Sequence, residues 1–247
     1  METVIEQRPK MRPDLEEVPP RMRTLAIDDR GYPVPWFVPW IDGKPEFRAA
    51  DSAKWRKAIQ NKMCWICGQP LGKAFTFIIG PMCGVTRTQS EPPSHDECAV
   101  WSARNCPFLS NKNRKRREDE KINKENCIAT APGIAIVRNA GAWCLWTTRS
   151  YELLDDGKGQ TLLRMGQPER TAWYANGRIA NRAEIMESVK TGLPNLTALA
   201  EQEGPEAVAH LKALVDKFMH LVAFPPMRVV GSRGLTLHLS AGKAGGT

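Results

Sequence analysis

Five of the chain's seven cysteines and one of its four histidines fall between Cys64 and Cys106. They are spaced as Cys64-Trp-Ile-Cys67-Gly68, then Cys83, then His95-Asp-Glu-Cys98, then Cys106. Zinc prefers four soft or borderline ligands in a tetrahedron. A C-x2-C pair and an H-x2-C pair on separate short elements can each deliver two of them with little strain. The amino-terminal stretch METVIEQRPKMRPDLEEVPP lacks the apolar core of a secretory signal. With an odd cysteine count, that points to reduced thiols and a metal in the cytoplasm rather than to a disulfide framework.

The elements that must position these donors are legible nearby. Gly68 stands where a tight knuckle needs a residue free to take positive φ, so that backbone N–H groups turn towards the thiolates. The run Ala74-Phe-Thr-Phe-Ile-Ile79 reads as a strand ended by Gly80-Pro81. Glu91-Pro-Pro-Ser94 announces a helix, with Ser94 as N-cap and Glu97 completing a capping box. His95 and Cys98 then share one face of the first turn, where the helix N-terminus favours a thiolate over a thiol.

A knuckle C-x2-C-G followed by β-structure and a helix with two ligands in its first turn resembles the treble-clef zinc finger, over roughly residues 60 to 110. The resemblance implies Cys64, Cys67, His95 and Cys98 as the four ligands of a Zn2+ ion. The stretch between Cys67 and His95 is long for the simplest finger, and Cys83 and Cys106 remain as competing donors. The segments CWICGQPLG, FIIGPMCGV and EPPSHDECAVWSARNCPF are also similar to those of uncharacterised bacterial and phage-type proteins, which adds no mechanism. Outside the pairs, a free cysteine behaves as a small buried hydrophobe. Cys127 and Cys144, among Ile, Ala, Trp and Leu, read as such, and Cys83 and Cys106 lean the same way.

The net charge of +8 invites an anionic partner. From Asn111 to Asn126 seven basic residues (Lys112, Arg114, Lys115, Arg116, Arg117, Lys121, Lys124) face four acidic ones (Glu118, Asp119, Glu120, Glu125). The remaining excess reads as spread over the rest of the chain. A basic run beside a zinc site can neutralise nucleic-acid phosphates, and such a mixed run also serves as a solvated linker. Trp65 and Trp101 could stack on bases, although core packing is the commoner use of such residues.

The chain divides into a mobile arm over 1–32, a zinc-binding segment over 33–110, a charged linker over 111–126, an α+β segment over 127–224 and a tail over 225–247. A hairpin is expected around Asp42-Gly43, and Asp51 should cap a helix towards Lys62. After the linker, strands are expected at Gly133–Val137, Ala142–Thr148 and Gln160–Arg164, with a turn over Asp155–Gly159. Asn181 and Glu184 form a capping box for a helix that Gly192 and Pro194 should stop. A second helix starts near Asn195, and a third, amphipathic one runs from Pro205 to about Val222. Leu235–Ser240 could add an edge strand. The fold class is α+β: a treble-clef-like zinc site in the N-terminal half, with short antiparallel strands and C-terminal helices.

No stretch reaches the length of a membrane span. The expected function is that of a structural zinc-binding protein acting as a DNA- or RNA-binding module, through Lys112, Arg114, Lys115, Arg116 and Arg117. A protein-interaction adaptor is the alternative. An HNH-like nuclease would need a catalytic histidine besides the metal ligands, and His95 is the one histidine near the finger. No catalytic residue is assigned.

Overall fold

The computed structural model describes residues 10–114, 127–128, 139–155, 157 and 160–223. The strands expected at Gly133–Val137 and Leu235–Ser240, and most of the charged run, lie outside them.

Prolines and aromatics shape the first elements. Strands β1 (Trp40–Ile41) and β2 (Lys44–Pro45) pair across Asp42 and Gly43, whose φ values of 50° and 77° make the expected tight hairpin turn. Each strand has only two residues, as expected where Pro39 and Pro45 remove ladder donors. Strand β3 (Ala50–Asp51) leads into helix α1 (Ser52–Gln60). The Asp51 side chain caps it, accepting from the N–H groups of Ala53 and Lys54.

Strand β4 (Phe75–Ile79) ends at Gly80 as read. Pro81, however, is the first residue of a short helix, α2 (Pro81–Thr86), rather than only a stop. Proline suits a helix's first position, where its missing N–H would be unpaired anyway. Strand β5 (Thr88–Gln89) and helix α3 (Asp96–Asn105) follow.

Strand β6 (Cys127–Ile128) pairs with β3. Beyond it come β7 (Trp143–Thr148), β8 (Tyr151–Asp155), β9 (Thr161–Met165), β10 (Pro168–Ala175) and β11 (Arg178–Ile179). Helices α4 (Arg182–Glu203) and α5 (Pro205–Ala223) complete the described chain. Among the described residues, no helix is long and apolar enough to cross a membrane.

The main sheet is antiparallel, in the order β11-β10-β7-β4, and a smaller antiparallel sheet runs β5-β9-β8. Strand β4 precedes the charged run and β7 follows it, so the two sides of that run share one sheet. Alternate residues serve two cores, because side chains on a strand point to opposite faces. Phe75, Phe77, Ile79, Cys144, Trp146, Trp173 and Ala175 face α2, α4 and α5 in the larger core. Leu145 and Tyr174 pack on Ala99 and Ala103 of α3 on the other face. Helix α3 is thereby held against the sheet, which places its first turn.

The capping box at Asn181 is present, with Glu184 donating its N–H to the Asn181 side chain and accepting from the Asn181 N–H. The stop at Gly192-Pro194 is not: α4 continues through Pro194 for 22 residues, and no separate helix begins near Asn195. Gly192 is buried against Met82, and Leu193 and Leu196 pack on the large core, so tertiary packing holds the helix on both sides of the proline. Lys190 and Pro194 are exposed, which leaves the carbonyl that Pro194 cannot pair within reach of water. Replacing the cap, Asn181→Ala, should cost about 1 kcal/mol. A lowered urea midpoint with an unchanged slope would show it, and an unchanged midpoint would rule out a stabilising cap.

Candidate metal centre

Two elements converge on one point. The knuckle runs from Met63 to Pro70, which form an antiparallel bridge. Within it the Cys64 N–H donates to the Gln69 carbonyl at 2.7 Å and the Gly68 N–H to the Cys64 carbonyl at 2.9 Å. Gly68 has φ +72°, and a Cβ there would meet the Trp36 ring at 2.5 Å, so both backbone angle and space require glycine. The second element is the start of α3. Its N-cap is His95, without a side-chain cap, so the capping box expected from Ser94 and Glu97 does not form. Ser94 instead bridges to Thr76 through two backbone hydrogen bonds of 2.8 and 3.0 Å, and Glu97 pairs with Arg21. Strand pairing overrides the local capping signal, and it ties the start of α3 to β4.

The Sγ atoms of Cys64, Cys67 and Cys98 and a ring nitrogen of His95 all lie within 4.8 Å of one another. Cys67 Sγ is 3.4 Å and Cys98 Sγ 4.0 Å from His95 Nδ1. Bonds of about 2.3 Å to sulfur and 2.0 Å to nitrogen in a tetrahedron put neighbouring donors roughly 3.5 to 3.8 Å apart, so the four atoms fit a single ion. All six cysteines with described side chains are free thiols.

The surroundings orient the donors. His95 Nε2 lies 3.0 Å from the Pro70 carbonyl, which takes its N–H and leaves Nδ1 as the donor facing the sulfurs. The N–H groups of Cys67 and His95 both point at Cys64 Sγ, each at 3.4 Å. Hydrogen bonds from the Cys67 and Cys98 side chains hold the Cys64 thiol far below its usual range, while the hydrogen bond to Cys64 pushes Cys98 far up. The same neighbour raises His95 to about 10. Three sulfurs and an imidazole thus share protons in one small volume, an arrangement that a cation relieves by displacing those protons.

The cluster has its own apolar cover. Cys64 and Cys98 are fully buried, with Ile66, Cys67, Trp101, Val18 and Met22 around them. Residues 10–32, expected to form a mobile arm, are instead part of this cover: Met11, Leu15, Val18, Met22 and Leu25 pack over the cysteines. Polar ties fix the arm. Trp101 Nε1 donates to the Glu16 carbonyl, Arg104 pairs with Glu16, and Arg21 reaches both Glu97 and Gln69. The signal is present in the sequence as apolar residues recurring every three or four positions, masked by the surrounding Pro, Arg and Glu.

The remaining candidates lie elsewhere. Cys83 sits on α2 beside the large core, where burial raises its thiol to about 11, and Cys106 caps the C-terminus of α3. Cys144 is buried in β7, and the side chain of Cys127 lies outside the described residues. Trp65 stacks on Phe37 with ring centroids 4.7 Å apart, and both Trp65 and Trp101 are buried, so neither offers a face to a base. Lys112 and Arg114 are exposed just beyond α3, while Lys115, Arg116 and Arg117 lie outside the described residues. Comparisons with family models, with curated proteins and with solved structures return no match.

Proposed function

We propose that Cys64, Cys67, His95 and Cys98 hold one structural Zn2+, and that the centre organises a nucleic-acid-binding module without catalysis of its own. The observation that carries the zinc reading is the convergence of three sulfurs and one nitrogen, from a glycine-turned knuckle and a helix start, beneath an apolar cover. A three-sulfur, one-nitrogen set suits zinc, and four protein ligands leave no position for a reacting water. Both ring nitrogens of His95 are engaged, one towards the sulfurs and one at Pro70, so it is not free to act as a nuclease base. The knuckle and the ligand-bearing helix keep the treble-clef order. Between them stand β4, α2 and β5, which support a treble clef with an inserted helix.

The nucleic-acid reading rests on the net charge of +8 and on exposed Lys112 and Arg114, which follow the carboxyl end of the ligand-bearing helix. Zinc in this role holds the surface together and supplies no chemistry. Elemental analysis of purified protein should give one zinc per chain, and gel shifts should show binding that weakens steeply between low and moderate salt. A metal-free protein with a native fold would overturn the zinc assignment. Absence of DNA and RNA binding even at low salt would overturn the nucleic-acid reading and favour a protein adaptor.

A further inference from the structure

The excess positive charge is not spread evenly. From Ser52 to Ser90 the chain has six basic residues (Lys54, Arg56, Lys57, Lys62, Lys73, Arg87) and no acidic one. That is +6 of the chain's +8. Arg87 is withdrawn from this set, because its guanidinium donates twice to the Met165 carbonyl. The other five belong to α1 and to the two flanks of the knuckle that follows it.

The structure gathers them. On α1, Trp55, Ala58 and Ile59 turn inward, and Ala53, Arg56, Lys57, Gln60 and Asn61 form the exposed side. Lys62 follows at the helix end, where the Leu71 N–H donates to its carbonyl at 2.7 Å and so brings Gly72 and exposed Lys73 alongside. Lys54, also on α1, is half-buried against the Trp36 ring and paired with Asp51 at 3.8 Å, so it adds little to the field. Among the described residues, Arg56, Lys57, Lys62 and Lys73 make no ion pair. Exposed side chains of one sign, without counter-charges and interleaved with amides, form a field suited to a polyanion.

We infer that the exposed side of α1, with Lys62 and Lys73, is the phosphodiester-binding surface of the protein. The inference rests on the nucleic-acid reading above and moves its principal interface away from the run at 112–117. The composition of the face favours a nucleic-acid backbone over an anionic membrane. A helix that lies on lipid buries an apolar side in the interface, and the apolar side of α1 is already packed in the core. The exposed side offers two amides and small Ala53, which can bond to phosphate and sugar oxygens but give lipid nothing to hold. The knuckle is part of this surface, since its Met63–Pro70 bridge fixes Lys62 relative to Lys73. Metal binding and the charged face are therefore coupled through the fold.

The test compares the zinc-loaded parent with two variants: Arg56→Gln, Lys57→Gln, Lys62→Gln and Lys73→Gln together, and Arg114→Gln, Lys115→Gln, Arg116→Gln and Arg117→Gln together. The probes are a 30-nucleotide single strand, the matching duplex and phosphatidylserine vesicles, in a salt series. All eight substituted positions lie outside the metal-ligand set, and unchanged zinc content confirms that each variant is folded. The α1-face variant should bind at least about tenfold more weakly to whichever nucleic acid the parent prefers, with a salt slope shallower by roughly one unit for each phosphate it no longer neutralises. An α1-face variant that binds like the parent, while the 114–117 variant binds more weakly, overturns this surface and leaves nucleic-acid binding standing. A parent that binds neither nucleic acid at low salt, or only the vesicles, overturns both.

Discussion

Cys64→Ser and Cys98→Ser should each abolish zinc binding and unfold the segment around the centre. Both sulfurs are fully buried, and Cys64 Sγ also receives the N–H groups of Cys67 and His95. A serine oxygen is a poor zinc ligand and leaves two thiols and an imidazole facing one another without a cation. Structural zinc in finger-sized units contributes on the order of 10–16 kcal/mol of binding free energy, as large as the roughly 5–15 kcal/mol that keeps a whole domain folded. The cover of Met11, Leu15, Val18, Met22 and Leu25 should come away with the site, because it packs on the cysteines themselves. Elemental analysis and thermal melting followed by circular dichroism read both effects. Cys106→Ser is the control, since that thiol lies at the far end of α3 outside the cluster, and it should keep a full complement of zinc. Retention of zinc and an unchanged melt in Cys64→Ser would sink the assignment. Acidification should act in the same direction as the substitutions, since protons compete with the ion for the same four donors.

The candidate site is largely legible in the sequence because its rules are local. Pair spacing, a glycine that must take positive φ and a helix start each depend on a handful of consecutive residues, and the structure brings the four candidate donor atoms within 4.8 Å of one another. The same holds for the Asp42-Gly43 turn, the Asp51 cap and the Asn181 capping box. What cannot be read this way depends on partners distant in the chain. Ser94 carries a sound capping signal, yet Thr76 of β4 takes its backbone. Pro194 carries a sound stop signal, yet packing on Met82 and the large core carries α4 past it.

Strand β10 escapes a reading of the sequence for a different reason. It opens on Pro168-Glu-Arg170, where its register with β7 shifts, so its alternation starts irregularly. Its end is well marked, because Asn176 and Gly177 both take positive φ and close a hairpin onto β11. That dipeptide is the available signal. The charge, too, is easily judged by its densest run rather than by where acidic residues are missing. A stretch without acids draws less notice than a cluster of arginines, although the field depends on the balance of both.

The shared sheet makes a further demand, which Trp146→Ala tests. Trp146 is fully buried in the middle of β7, opposite Phe77 of β4 on one side and Thr171 of β10 on the other, and its indole N–H donates to the Gly166 carbonyl at 2.9 Å. Truncation removes the largest fully buried side chain among the described residues and leaves a cavity lined by side chains of both cysteine-side and carboxyl-side strands. It should destabilise the fold by about 3–5 kcal/mol. The proposed zinc ligands belong to a separate cluster of buried residues, so the folded variant should still carry one zinc per chain. Because β4 joins the two sides of the charged run in one sheet, unfolding should remain a single transition. Circular dichroism and metal release to a chromophoric chelator should then report the same midpoint, shifted well below that of the parent. A metal centre that survives after the sheet has melted would mean that the finger folds alone and only leans on the sheet. Coincident loss of both would place the zinc and the indole at two ends of one cooperative unit, with β4 and α3 as the connection.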